Sequence, residues 1–185
     1  MEEIKLYHID RSGTINVGQV LELQKNIHFE NQENEKCLSL VMPYYDAGLS
    51  HHGIQYLLTN NLFVNEVMPL GNVMDIIFEY ERLLNYTDKL SRYQSFFAFD
   101  SEGVQQFINN HHLSNSFYKI YEVKSNYVEK HNMTLISGTM HYNIAAMAKI
   151  YWENGDDPYD RPVVNEYLLK YPIQIIREVT LEDLK

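Results

Sequence analysis

The chain has 185 residues, a length that suits one domain with a sizeable core. Its formal net charge is −10 and its pI about 5.2, so the average surface repels phosphate backbones, and no long Lys/Arg cluster offers a local exception. The single cysteine, Cys37, excludes an internal disulfide, no run approaches the roughly 20 apolar residues of a membrane span, and the acidic start MEEIKLYHID has no signal stretch, so the expectation is a soluble, cytoplasmic protein.

In chain order, IKLYHI (Ile4–Ile9) reads as a strand, which DRSG then breaks with turn-forming residues. INVGQVLEL starts a short strand or helix, with Gly18 at a turn. The polar stretch His28–Lys36 reads as a surface loop, and GLSHHGIQYLLT as a short helix. Gly71–Tyr86 is the clearest helix, because Val73, Ile76, Ile77, Tyr80, Leu83 and Leu84 recur at helical spacing. SFFAF (Ser95–Phe99) is a short buried strand. Ser101 is placed to cap the helix EGVQQFINNHH, whose apolar face carries Val104, Phe107 and Ile108. FYKIYEV (117–123) and MTLIS (133–137) are strand-like, and Thr139 caps an amphipathic helix, MHYNIAAMAKIYWEN. After the turn GDDPYDRP, VVNEYLL and YPIQIIREV are strands, and Thr180 with Asp183 forms a capping box. Strands and helices mix without βαβ alternation, so the predicted class is α+β, in a single domain over 1–185.

Several chemistries find no support. The chain has no phosphate-binding glycine loop, no dinucleotide glycine fingerprint and no nucleophile elbow. One cysteine rules out cysteine-based zinc sites. The pairs His51–His52 and His111–His112 place adjacent side chains on different faces, so no metal site is expected. Cys37 reads as a small buried apolar residue.

Three patches remain. His8 lies inside the strand of LYHIDRSG, with Arg11 just past its end. In SRYQSFFAF, Ser91, Arg92 and Ser95 lead into an aromatic strand. Glu166 stands inside the apolar strand VVNEYLL, where a carboxylate needs a partner or a cleft. Taken alone, each has a structural reading: a half-buried histidine beside a turn arginine, a capped turn with a surface arginine, and the polar face of an edge strand. An interaction protein with three structural patches is one outcome.

Taken together and in order, the patches resemble the ADP-ribosyltransferase-like superfamily. The chain is most similar to its small bacterial and phage families of unknown function, and to the DNA-targeting ADP-ribosyltransferases of toxin–antitoxin systems. The resemblance rests on Tyr7, His8 and Arg11 in the early strand, Ser91 to Ser95 in the middle, and Glu166 late. It implies a split, mostly antiparallel sheet with flanking helices. It implies NAD as substrate, with Glu166 facing the oxocarbenium-like transition state. His8 is then a catalytic residue that bonds a ribose hydroxyl, and Tyr7 lines the same element. Arg11 and Arg92 are the pyrophosphate candidates. Ser91 and Ser95 fix the walls and orient Glu166. Tyr93, Phe96 or Phe97 stack on nicotinamide, with Trp152 a minor candidate.

The resemblance further implies a macromolecular acceptor, protein or nucleic acid, which the exposed, adjustable loop GDDPYDRPVV would present. Acidic Asp156, Asp157 and Asp160 disfavour nucleic acid there unless Arg161 makes the contact. Members that modify arginine carry Glu or Gln two residues before the catalytic Glu. Here Val164 stands there, which points away from arginine and leaves nucleobases, other side chains or water. The first element reads YHID, not Tyr-His-Gly-Thr, so a non-catalytic nucleotide- or protein-binding module on the same fold is the alternative.

Overall fold

A computed structural model describes residues 4–29, 32–58, 70–111, 118–136 and 144–184. Thr139, His112 and the side chain of Cys37 lie outside the described part. The strands are β1 (Leu6–Asp10), β2 (Val20–Leu21), β3 (Ser95–Ala98), β4 (Lys119–Lys124), β5 (Val128–Asn132), β6 (Asn165–Lys170) and β7 (Ile173–Val179). The helices are α1 (Gln32–Val41), α2 (His51–Leu58), α3 (Leu70–Asn85), α4 (Ser101–Asn110) and α5 (Ile144–Glu153). No described helix is long and apolar enough to cross a membrane.

The strands form two antiparallel sheets, ordered β1-β4-β7-β2 and β3-β6-β5, so the class is α+β. The sheets touch at one seam. Tyr7 and Phe99 exchange both backbone hydrogen bonds, each 2.8 Å. In an antiparallel ladder the next reciprocal pair falls two residues on, at Ile9 and Phe97. That pair is not formed among the described residues. The Phe97 carbonyl instead bonds the His8 ring at Nδ1, 2.7 Å away. The ladder opens at His8, and its imidazole bridges the opening.

Alternation along β3 and β6 divides the core. Phe96 and Leu169, paired in register, face a cluster with Leu6, Tyr121 and Ile175. Phe97 and Leu168 face the other way, toward Phe78 of α3 and Met147, Tyr151 and Trp152 of α5. Trp152 is core, 1% exposed, with its Nε1–H donated to the Phe78 carbonyl at 2.8 Å.

Four segments differ from the sequence reading. The polar stretch His28–Lys36 is not all loop, since α1 begins at Gln32. Leu38 and Val41 of this helix pack in a cluster with Ile27, Tyr45 and Leu49, and Gln32 and Lys36 are exposed. MTLIS is a 3-10 turn over Met133–Leu135, capped by Asn132. The strand is β5, just before it. Its sequence VEKHN is polar because it is a sheet edge with only His131 buried. The cap of α4 is Asp100, whose Oδ1 accepts from Gly103 N at 2.8 Å, and Ser101 is the first helical residue.

α3 also turns an unexpected face inward. It buries Met74, Asp75, Phe78, Glu79 and Arg82, and exposes Ile76, Tyr80 and Leu84. Three charged residues are therefore buried on one helix, and they build the site below.

α2 is pressed onto the turn before β3. The Ser50 hydroxyl accepts from Gly53 N at 3.0 Å and donates to the Tyr93 carbonyl at 2.9 Å. A Cβ on Gly53 falls 2.3 Å from the Tyr93 carbonyl oxygen, a backbone atom that cannot swing away. Gly53→Ala is expected to cost about 2 kcal/mol by overpacking. Thermal unfolding reads this as a Tm lower by roughly 4–8 °C; an unchanged Tm contradicts the packing of α2 on this turn.

Candidate functional site

The stretch Ser91–Ser95 is built as a cap and a turn. Ser91 is extended, and its Oγ accepts from Tyr93 N at 3.1 Å, starting a 3-10 turn over Arg92–Gln94. Ser95 Oγ closes the turn by donating to the Ser91 carbonyl at 2.7 Å. Asp75 and Glu79 lie one helical turn apart on α3 and so project from the same flank. Glu79 Oε1 accepts from Ser91 Oγ at 2.7 Å and from Arg82 Nη2 at 2.8 Å. Asp75 Oδ1 accepts from Arg92 Nε at 2.7 Å. The two carboxylates clamp the turn and aim Arg92 across the sheet.

Arg92 is buried, at 5% exposure, and its charge is fully engaged. Nη1 donates to Glu166 Oε1 and, at 2.9 Å, to the Tyr151 hydroxyl oxygen. The Tyr151 hydroxyl in turn donates to Glu166 Oε1 at 2.8 Å. The guanidinium lies over the Phe97 ring, 4.7 Å from its centroid. Burial disfavours the Arg92 cation, but Glu166 and Asp75 outweigh it and hold the charge. Burial likewise pushes the Asp75 carboxyl up, while Arg92, with His52 beside it, brings it down to about 2. Burial and the Glu166 charge drive the Tyr151 phenol far above its ordinary range, so it stays a donor. One oxygen of Glu166 is thereby pinned twice. No described residue hydrogen-bonds the other, Oε2.

His52 of α2 completes the cluster. Its Nε2 lies 3.0 Å from Asp75 Oδ2, inside ion-pair distance but off the angle of a hydrogen bond. Its ring stacks on Tyr56 at 4.1 Å and tilts against Phe97 at 4.7 Å.

His8 is half-buried and packs on Phe96 with ring centroids 4.2 Å apart. Burial lowers its pKa, which favours the neutral ring. A carbonyl only accepts, so the contact with Phe97 O assigns the proton to Nδ1. Nε2 is then an acceptor, and no described residue takes it.

The structure thus places His8 on β1, Arg92 at the head of β3 and Glu166 on β6, with His8 on the Phe96 face of β3 and Arg92 and Glu166 on its Phe97 face. It corrects other expectations. Arg92 is not a phosphate fork, because two carboxylates and a phenol already hold it. Ser91 and Ser95 do not orient Glu166; their hydroxyls serve Glu79 and the turn itself. The Tyr93 ring is 1% exposed in a cluster with Tyr45 and Leu49, and Phe96 is buried against His8, so neither offers a free face. Phe97 is the half-buried aromatic on the Glu166 side. Tyr7 contributes its backbone to the seam and its side chain to the core. The loop before β6 is exposed at most positions, with one acidic residue buried inside it. Its Asp157 is 7% exposed and accepts from Tyr159 N at 3.0 Å and Arg161 Nε at 2.6 Å.

Arg11 remains exposed, 5.9 Å above the Phe107 ring. Of the five arginines, Arg82, Arg92, Arg161 and Arg177 each pair with a carboxylate. For Arg11 no described residue supplies one.

Sequence reasoning missed Asp75, Glu79, His52 and Tyr151. The carboxylates left a trace, as two acids four apart in the apolar run MDIIFEY. Tyr151 left none, since an aromatic on an amphipathic helix reads as core.

The family model described as "Protein of unknown function (DUF2441)" matches residues 6–182, and the chain belongs to that family. No curated protein matches the chain.

Proposed function

We propose that this member of the DUF2441 family is an NAD-dependent ADP-ribosyltransferase on a split sheet, acting on a non-arginine acceptor. One observation carries the reading: three segments far apart in the chain converge. His8 bonds Phe97 of β3, Phe97 pairs with Leu168 of β6, and Glu166 of β6 binds Arg92 at the head of β3. The opening of the ladder at His8 fits the split sheet that the reading requires.

The chemistry follows from these groups. Breaking the bond between ribose C1′ and nicotinamide sends its electron pair to the ring nitrogen, and nicotinamide leaves neutral. The sugar becomes oxocarbenium-like, and a fixed carboxylate nearby stabilises it. Glu166 serves in that role through Oε2, held still by the contacts on Oε1. The acceptor then bonds to C1′, and its proton passes to Glu166 or to water. His8 Nε2 accepts from a ribose hydroxyl. Arg11 meets the pyrophosphate, being the arginine with no described carboxylate. Val164 is packed in the core with Tyr7 and Phe99 at the position where arginine-modifying members carry a polar residue.

The test is incubation with NAD labelled in its nicotinamide. The expected result is release of labelled nicotinamide together with a rise in Tm. Absence of both sinks the reading. Glu166 is only 2% exposed and locked to Arg92, which favours a second reading: a non-catalytic module that binds the dinucleotide. A rise in Tm without release selects that one.

Arg11→Ala separates binding from folding. A charge-assisted contact to phosphate is worth roughly 1.5–3 kcal/mol, so Kd for NAD rises at least about tenfold. Tm stays unchanged because Arg11 is exposed. A variant that binds NAD as tightly as the wild type removes Arg11 from the site.

A further inference from the structure

We infer that Tyr151 is a positioning residue, whose hydroxyl joins Arg92 in fixing Glu166 Oε1 so that Oε2 is presented to the ribose; this rests on the reading above. Tyr151 comes from α5 and is a residue to which the resemblance assigns no role. The residue is fully buried, and its orientation is determined from every side. Its ring stacks on His131 at 4.5 Å and meets Phe78 and Trp152 edge-on. His131 is itself set between the Tyr151 carbonyl, 3.1 Å from Nδ1, and Glu129 Oε2, 3.3 Å from Nε2. His131 also stands opposite Glu166 in the β5–β6 register. The phenol is therefore part of a rigid wall, and its O–H has one direction to go.

Two donors on one oxygen do what a single donor cannot. Arg92 alone leaves the carboxylate free to rotate about the contact and exchange its two oxygens. The second donor at 2.8 Å removes that rotation. Burial and the Glu166 charge keep the phenol protonated, so it donates to the carboxyl group without competing for its role.

The experiment compares Tyr151→Phe with the wild type in nicotinamide release across pH, with Tm as the folding control. Phenylalanine keeps the stacking and removes only the hydroxyl. The expected result is kcat lower by about 10- to 100-fold, the loss typical of removing a supporting hydrogen bond. The acid limb of the pH–rate profile moves to higher pH, because one donor to the ionised carboxylate is gone. The position of that limb does not depend on how much protein is folded, so a purely structural loss leaves it in place. A wild-type rate and profile in Tyr151→Phe overturn the inference and leave the proposed function standing. A wild type that neither binds NAD nor releases nicotinamide overturns the proposed function, and this inference with it.

Discussion

Under the proposed activity, Glu166→Gln is expected to lower nicotinamide release from NAD by about two orders of magnitude or more, with NAD still raising the Tm of the variant. The size follows from removing a preorganised charge that faces a developing cation. The substitution is a clean one at this position. Glutamine has nearly the same volume, and its carbonyl oxygen accepts from Arg92 and Tyr151 as Oε1 now does. Arg92 keeps Asp75 as its counter-charge, so the cation is not stranded. The variant thus tests charge rather than shape. Release at the wild-type rate removes Glu166 from catalysis.

Arg92→Met is expected to cost about 3–5 kcal/mol of stability, the penalty for leaving buried charge without its partner. Methionine fills much of the space and keeps the contact with Phe97, so the loss is electrostatic. Asp75 and Glu166, at 3% and 2% exposure, then share no cation across the sheet. At roughly 2–4 °C per kcal/mol, Tm falls by about 6–20 °C. Arg177→Met is the comparison. Its pair with Glu122 is solvent-exposed and worth about 1 kcal/mol or less. The pH dependence sets the mechanism apart. A buried carboxylate left unpaired takes up protons more readily in the folded chain than in the unfolded one. The destabilisation of Arg92→Met is therefore greatest near neutral pH and shrinks as pH falls. Equal effects of the two substitutions contradict a buried, mutually dependent cluster.

Much of the scaffold was legible from local pattern. β1, β4, β6 and β7 alternate or run apolar over a few residues, and α3 repeats at helical spacing, so each announces itself within one window. β5 did not, because an edge strand with one buried residue lacks the apolar signal that a strand carries when both neighbours are present. α1 was obscured for the opposite reason. Gln32 and Lys36 in its first turns are exposed, and the segment carries the composition of a loop. Even α3, the clearest helix, hid its orientation. Its most apolar stripe, Ile76, Tyr80 and Leu84, points outward, and its carboxylates point inward, because a buried arginine needs counter-charge more than the core needs another aliphatic contact.

The site divides along the same line. Ser91, Arg92, His8 and Glu166 stood out in the sequence because polar groups at the head of, or inside, apolar strands require an explanation. The cap at Ser91 is a matter of neighbouring residues and follows from them alone. The role of Arg92 does not. Its partners Asp75, Tyr151 and Glu166 lie 17, 59 and 74 residues away along the chain. Charge compensation inside a protein acts over a few ångströms of space, with no regard for distance in sequence, so the same arginine reads as a phosphate ligand in the linear text and as a buried keystone once the chain is folded.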